Sequence, residues 1–172
     1  MNAGASQPHK HLQVLPYEFN KDYGLFLLTK DNNNLEMVNQ LSHSEGIFCK
    51  LKVFGFNHVL VKFSEELCRK ITYISKDTHL EVGNILLELY DLGLNYLDLK
   101  TDPLKITTNY SLMLCDDWML IVPRKTHEVK LKNGNLNLNS ACYTLSFLVK
   151  TEELMSEIKS VNICDLLKQL SV

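Results

Sequence analysis

The sequence predicts an α+β fold, in which an antiparallel sheet is combined with one long helix and a helical C-terminus. Short apolar runs separated by turn residues indicate the strands, because alternation along such runs gives one face to the core. One amphipathic stretch at residues 77–97 indicates the long helix, with apolar side chains at three- and four-residue spacing. Two shorter stretches at 152–160 and 162–170 indicate the helical end of the chain.

Local signals in the sequence predict each of the strands. The first predicted strand alternates along residues 9–17, and residues 18–45 are interpreted mostly as connection. Further strands are predicted at residues 47–53, 57–63, 110–114, 118–123 and 139–150. A turn at Asp116 and Asp117 joins two of these strands into a hairpin.

Composition and charge fit a single globular domain over residues 1–172, with 45% hydrophobic and 22% charged residues. A net charge of −2 with interspersed signs predicts no nucleic-acid partner, and no apolar run is long enough for a membrane span. The five cysteines are odd in number and lack C-x-x-C spacing, and a secretory signal is not evident. We therefore expect a cytoplasmic protein in a reducing compartment.

A histidine pattern marks the first strand. His9, His11 and Gln13 project from the same face, because side chains alternate along a strand. Directly before them lies a loop of small and polar residues, namely Gly4, Ala5, Ser6 and Gln7. The backbone N–H groups of such a loop and the Ser6 hydroxyl can hold a phosphate. On these residues alone, a surface histidine pair or a metal pair stays open, although Gln13 is a poor third metal ligand.

Residues 2–13 together resemble the signature of the diadenosine tetraphosphate phosphorylases, also called ATP adenylyltransferases. This family belongs to the histidine-triad superfamily, in the branch that contains galactose-1-phosphate uridylyltransferase. The likeness continues through Leu15–Glu18, Phe56–Lys62, Asn109–Leu114, Trp118–Arg124 and Asn139–Lys150. The resemblance implies a histidine-triad-like sheet and phosphorolysis of diadenosine tetraphosphate to ATP and ADP, with a divalent cation such as Mg²⁺ bound on the polyphosphate.

The resemblance also implies roles for the histidine strand. His11 corresponds to the family's nucleophile, and a neutral imidazole can attack a phosphorus atom to form a nucleotidyl-histidine. Gln13 can donate a hydrogen bond to a non-bridging phosphate oxygen while charge develops there. Residues 4–7 would hold the phosphates, and His9 would support the site. With Gln13 in place of a third histidine, transfer to phosphate is favoured over hydrolysis.

A late segment is implied to reach the substrate as well. The residues that match it are Asn139, Ser140, Ala141, Ser146 and Lys150. An Asn-Ser pair is otherwise an ordinary turn, and Lys150 an ordinary solvated charge. Cys142 and Leu145 stand where the resemblance leads us to expect glycines.

Other conspicuous residues receive structural interpretations. We expect Trp118 and Met119 to pack in the hairpin core, and His58 to be a hydrogen-bonded core histidine. Arg124 is interpreted either as a phosphate contact or as an exposed arginine at the end of a strand. His43, His79 and His127 have no evident companions in the sequence.

The signature begins at residue 2, whereas it lies near the middle of family members. We therefore expect an upstream half, with the adenine and ribose pocket, to be missing from residues 1–172 or supplied by another chain. Residues 1–18 would carry the phosphate loop and the histidine strand, and residues 47–172 the C-terminal part of the domain. Two other functions stay open: a catalytically weak nucleotide- or partner-binding remnant, and a nucleoside-diphosphate-sugar phosphorylase.

Overall fold

The computed structural model describes residues 29–102, 105–106 and 109–172. The strands are β1 (Leu35–Met37), β2 (Gly46–Leu51), β3 (Val59–Phe63), β4 (Lys100–Asp102), β5 (Lys105–Ile106), β6 (Tyr110–Leu114), β7 (Trp118–Pro123), β8 (Glu128–Leu131) and β9 (Gly134–Asn137). The α-helices are α1 (Glu65–Thr72), α2 (His79–Tyr96), α3 (Glu152–Ser160) and α4 (Ile163–Leu170). Short 3-10 helices cover Asn32–Asn34 and Ser140–Thr144.

Five strands form one antiparallel sheet in the order β1-β2-β3-β7-β6. Its central strands are apolar on both faces, and every residue of β7 is buried. Val59, Val61 and Ile121 face one core cluster, whereas Leu60 and Leu120 face another. The sheet is therefore the middle layer, with a core cluster on each face. Strands that are covered on both faces have continuous apolar sequences.

Helices α1 and α2 cover one face of this sheet. Ser64 caps α1, since its Oγ accepts a hydrogen bond from the Leu67 N–H at 3.0 Å. Gly93 of α2 lies so close to the sheet that a Cβ there would come within 2.7 Å of Ile121 Cδ1. The absence of a side chain at Gly93 thus lets α2 approach β7 directly.

The C-terminal part of the chain covers the other face. Strands β8 and β9 form a hairpin whose turn is tied to α3, because the Lys132 and Asn133 N–H groups donate to the Glu157 carboxylate at 2.7 and 2.8 Å. Thr151 caps α3 and Asn162 caps α4 through their side-chain oxygens. These caps start both helices where the sequence predicts them.

The predicted α+β class is confirmed, as are the central strands, the β6–β7 hairpin, the long helix and both C-terminal helices. The prediction of one connection over residues 18–45 is wrong where β1 lies, and the β8–β9 hairpin adds two strands that were not predicted. The predicted strand at residues 9–17 lies outside the described residues. Within the described part of the chain, no helix has the length and apolar composition that crossing a bilayer requires.

The predicted strand at residues 139–150 is wrong. Ser140–Thr144 form a 3-10 helix, and no regular element follows before Thr151. Asn139 Oδ1 accepts a hydrogen bond from the Ala141 N–H at 3.0 Å, and Thr144 Oγ1 donates to the Ala141 carbonyl at 2.7 Å. Short polar side chains that bond nearby backbone groups compete with strand pairing, so this segment turns instead of extending.

Candidate functional site

The candidate residues fall into two groups. The phosphate-loop and histidine-strand residues all lie outside the described residues, namely Gly4, Ala5, Ser6, Gln7, His9, His11 and Gln13. Residues 139–146, called the candidate segment below, are described, and so is Lys150. The structure therefore shows what surrounds the second group.

The candidate segment is a compact turn closed by its own hydrogen bonds. The Ser146 N–H donates to the Ala141 carbonyl at 3.3 Å, and the Leu145 N–H donates to the Cys142 carbonyl at 3.0 Å. Asn139, Ser140, Ala141 and Ser146 are all half-buried in this turn. The turn thus brings these four predicted residues together. It leaves Lys150 exposed four residues further along.

Leu145 gives the turn its shape. Its backbone is left-handed, with φ 64° and ψ 25°, and among the described residues Asp98 is the other non-glycine residue with positive φ. Glycine adopts this conformation freely, whereas a Cβ makes it costly. The resemblance leads us to expect glycine at this position, and the backbone here has the conformation that a glycine would favour.

Arg124 supports the candidate segment from inside the protein. The expectation of an exposed strand-end arginine is wrong, because only 1% of Arg124 is accessible. The guanidinium donates to the Leu138 carbonyl at 2.9 Å, to the Thr126 carbonyl at 3.2 Å and to Ser111 Oγ at 3.3 Å. Its Cζ lies 5.7 Å from the centre of the Tyr143 ring. Arg124 therefore joins several elements and is too enclosed to contact a phosphate directly.

Residues Cys142 and Tyr143 form the buried underside of the segment. Burial raises the pKa of Cys142 to about 12 and the pKa of Tyr143 to about 12, while the charge of nearby Arg124 acts in the opposite direction. The Tyr143 hydroxyl donates to Ser171 Oγ at 2.9 Å, and Ser171 in turn donates to the Leu167 carbonyl. Both groups are therefore neutral at physiological pH, so Cys142 is a packing residue and not a thiolate nucleophile.

The candidate segment lies beside an edge of the sheet. Its 3-10 helix contacts β6, and among the described strands β6 pairs with β7 alone. Ser111 of β6 is buried on the sheet face that carries Val122 and the C-terminal part of the chain. The segment, Arg124 and strand β6 thus meet at one corner of the described part of the protein.

Two histidines of the described region, His58 and His43, make hydrogen bonds through their rings. His58 is 1% exposed; its Nε2 accepts from the Leu51 N–H at 2.8 Å, and its Nδ1 lies 2.8 Å from the Phe56 carbonyl, to which it donates. Burial lowers the pKa of His58 to about 4, so its ring is neutral. No companion of His43 is evident in the sequence, whereas in the structure its Nε2 lies 3.3 Å from the Glu88 carboxylate.

Trp118, Met119 and Arg124 of the hairpin region are all buried. Trp118 and Met119 are each 2% exposed and pack in the two core clusters, as predicted. The buried role of Arg124 was not predicted. The available signal was its place directly after a continuous apolar strand that ends in Pro123.

Comparisons with known proteins agree with this architecture. The family described as "ATP adenylyltransferase C-terminal domain" matches residues 52–172, which is more than half of the chain. The structure is similar to yeast Ap4A phosphorylase Apa2 in complex with AMP, with 20% identity and a TM-score of 0.58 over 99% of this chain and 52% of that chain. It is also similar to Apa2 in complex with Ap4A, with 18% identity and a TM-score of 0.57 over 98% and 51%.

At these identities the solved structures show the fold alone, and the chain spans about half of the length of the Apa2 chain. A search of curated protein sequences gave no significant match. The family match rests on the sequence of residues 52–172 itself, the part that contains β3, β6, β7 and the candidate segment. The chain therefore belongs to the ATP adenylyltransferase C-terminal domain family.

Proposed function

We propose that this chain is a nucleotidyltransferase that carries out the phosphorolysis of diadenosine tetraphosphate to ATP and ADP through a covalent intermediate on His11. The observation that carries the proposal is the His-x-His-x-Gln strand after a small-residue loop, in a chain whose residues 52–172 match this family. Two of the solved Apa2 structures contain AMP and Ap4A, respectively, which makes these ligands the natural choice for a test.

The proposed reaction has two displacements at one phosphorus atom. A neutral imidazole nitrogen of His11 attacks the α-phosphorus; the N–P bond forms, the P–O bond to the remaining phosphates breaks, and ATP leaves. Inorganic phosphate then attacks the same phosphorus, the N–P bond breaks, and ADP leaves. Covalent catalysis of this kind replaces one difficult step by two easier ones. Gln13 would donate to a non-bridging oxygen in both transition states.

Strand β6 lies at an edge of the sheet formed by the described strands, and this supports a position for the histidine strand beside the hairpin. Strand β7 already pairs on both sides, with β3 and β6, so a strand added to this hairpin has the free side of β6 available. Side chains on one face of such a strand would then share the face that carries Ser111 and Val122, next to the candidate segment. We therefore propose that residues 9–17 pair with β6 and direct His11 and Gln13 toward that face.

The candidate segment is proposed to bind the phosphates. The hydroxyls of Ser140 and Ser146 lie in one turn with the amide side chain of Asn139, and Lys150 is exposed where an anion can approach it. His9 and residues 4–7 would complete the set from the other side. Among the described residues, no group of three His, Cys, Asp or Glu side chains could hold a metal ion. We propose that a divalent cation enters with the polyphosphate, as Mg²⁺ does when it is bound chiefly by substrate phosphates.

Covalent labelling tests the role of His11. Incubation with diadenosine tetraphosphate labelled in its adenine should leave acid-labile label on the protein. We expect His11→Asn to abolish this label and His9→Asn to slow its formation. His79→Asn serves as the matched control, since His79 is exposed on α2. Equal labelling of the unmodified protein and His11→Asn would refute the assignment.

A second candidate is a catalytically weak nucleotide-binding half-domain. It is favoured by the coverage of only about half of the Apa2 chain. Base stacking and ribose contacts supply much of a nucleotide's affinity, so this candidate predicts weak binding by residues 1–172 alone. Calorimetry and phosphorolysis should be compared for this chain and for a protein extended upstream. Tight binding and full turnover by residues 1–172 would exclude it. Labelling from a nucleoside-diphosphate sugar, but not from diadenosine tetraphosphate, would indicate a sugar-nucleotide phosphorylase instead.

A further inference from the structure

We propose that Arg124 is a positioning residue that holds the candidate segment against β6 and thereby sets the affinity of this site for nucleotides. The second half of this inference rests on the proposed function, because the segment's contact with nucleotide is part of that proposal. The first half concerns the protein alone. It can be tested without any substrate.

The side chain of Arg124 reaches acceptors on separate elements. Ser111 belongs to β6, Thr126 lies between β7 and β8, and Leu138 directly follows β9. Leu138 is also the residue immediately before Asn139, where the candidate segment begins. A guanidinium presents its donors in a rigid planar fork, so three acceptors held by one such group are fixed relative to each other. The start of the segment is thereby fixed relative to the edge strand.

The Arg124 side chain also packs against the 3-10 helix of the candidate segment. The guanidinium lies over the ring of Tyr143, inside the 3-10 helix, and the Tyr143 hydroxyl is bound by Ser171. The backbone of Arg124 is held as well, since its N–H donates to the Asn109 carbonyl at 2.8 Å and it bridges to Ser171. Arg124 is thus itself fixed at both its backbone and its side chain, which is what a positioning residue requires.

Carbonyl and hydroxyl oxygens and an aromatic ring surround the charge of Arg124. Among the described residues, no carboxylate forms an ion pair with it. The described contacts of Arg124 are thus all with neutral groups, and buried charges are weakly screened. The charge directly beneath the candidate segment therefore favours an anion on the segment's outer side. Geometry and charge act in the same direction here, so the test has to separate them.

Three variants make this separation. Arg124→Met removes the charge and the hydrogen bonds, Arg124→Lys keeps the charge but loses the planar fork, and Ser111→Ala removes a single acceptor. The chain contains one other arginine, Arg69, whose side chain is 71% exposed and pairs with Glu66 on α1. Arg69→Met is therefore a matched control for the loss of an arginine charge. Ser111→Ala is the variant that keeps the test decisive if Arg124→Met does not fold.

Hydrogen exchange reports the positioning directly. In Arg124→Met, the amides of Ala141, Leu145 and Ser146 should exchange at least about tenfold faster, as expected for losing hydrogen bonds to a charged group. The amides of α2 should exchange faster only by the amount that the loss of global stability explains. Arg124→Lys should show an intermediate effect and Ser111→Ala a smaller one in the same direction. Uniform acceleration over α2 and the segment, or no change in the segment, would overturn the proposal.

Labelling of His11 reports the consequence for nucleotides. For Arg124→Met we expect the diadenosine tetraphosphate concentration that gives half-maximal labelling to rise at least about tenfold, while the rate at saturation stays within about twofold. Arg69→Met should change neither value. An unchanged half-maximal concentration in folded Arg124→Met would overturn the link to nucleotide affinity. If the unmodified protein takes no label, the proposed function fails, and the exchange experiment alone decides whether Arg124 positions the segment.

Discussion

Replacing Leu145 by glycine should make the protein more stable than replacing it by alanine. Leu145 is held at φ 64° and ψ 25°, where any residue with a Cβ is strained by roughly 1–2 kcal/mol. Glycine avoids this strain but loses about 0.5–1 kcal/mol through its greater freedom in the unfolded chain. The balance favours Leu145→Gly over Leu145→Ala by about 1 kcal/mol. Both variants remove the same partly exposed side chain, so its packing cancels in the comparison.

Exposed Leu87 on α2 provides the matched control, because its backbone is helical. There the order should reverse, with Leu87→Ala more stable than Leu87→Gly by about 1 kcal/mol. Urea unfolding of the four variants measures both differences, provided that the slope of the unfolding free energy against urea is the same for all. If Leu145→Ala equals or exceeds Leu145→Gly in stability, the left-handed turn is not present in solution, and the geometry described for the candidate segment fails with it.

The remaining predictions concern the helix contact and the buried histidine. Gly93→Ala should destabilise the protein by about 1 kcal/mol in urea unfolding, because its Cβ would lie 2.7 Å from Ile121 Cδ1. Gly83→Ala is the control: a Cβ there meets nothing within 4 Å, so the substitution should stabilise the protein by up to about 1 kcal/mol. Equal effects of the two substitutions would contradict the close packing of α2. Burial lowers the pKa of His58 to about 4 in the folded state, so its contribution is complete above the unfolded value of about 6.5 and is lost as pH falls from there toward 4. The protein should therefore lose about 2 kcal/mol of stability through His58 between pH 7 and pH 5; His58→Gln should show a correspondingly smaller loss, and an identical loss would refute the assignment.

The elements that the sequence predicts correctly are those whose stability comes from one continuous apolar pattern. Strand β7 is buried at all six positions and reads as an uninterrupted apolar run. Helix α2 places Val82, Leu89 and Gly93 toward the sheet, so its periodicity survives in the sequence. In these elements local preference and tertiary burial agree. Prediction from one sequence succeeds in such cases.

The missed elements are short or depend on polar chemistry. Strand β1 has three residues, and Glu36 interrupts its apolar character. The β8–β9 hairpin turns at Lys132 and Asn133, directly before Gly134 with its φ of +138°, but its strands are too polar for the alternation to stand out. Residues 139–150 fail differently, because apolar side chains suggested a strand, whereas the hydrogen bond that Asn139 Oδ1 accepts from the Ala141 N–H turns the chain.

The histidine motif could be found in the sequence because its residues lie within a few positions of each other. The surroundings of Arg124 could not. Its acceptors Ser111 and Leu138 lie 13 and 14 residues away along the chain, in opposite directions. A charged residue after a strand ordinarily ends in solvent, and only the packing of β6 against the C-terminal part reverses that expectation. Burial of a charge is a tertiary property, and the position of Arg124 after an apolar strand is the local feature that accompanies it.

The leucine at position 145 changes what the candidate segment can offer a phosphate. A glycine in this left-handed position would let the backbone approach an anion closely, which is the reason such loops favour glycine. The closing hydrogen bonds of Leu145 and Ser146 keep the turn without it. Because the Leu145 and Ser146 N–H groups already donate to carbonyls within the turn, we expect the side chains of Asn139 and Ser140 to carry more of any phosphate contact than the backbone does. The position of Asn139 is then the most important one for phosphate binding. Arg124 fixes the residue directly before it, because the guanidinium donates to the Leu138 carbonyl.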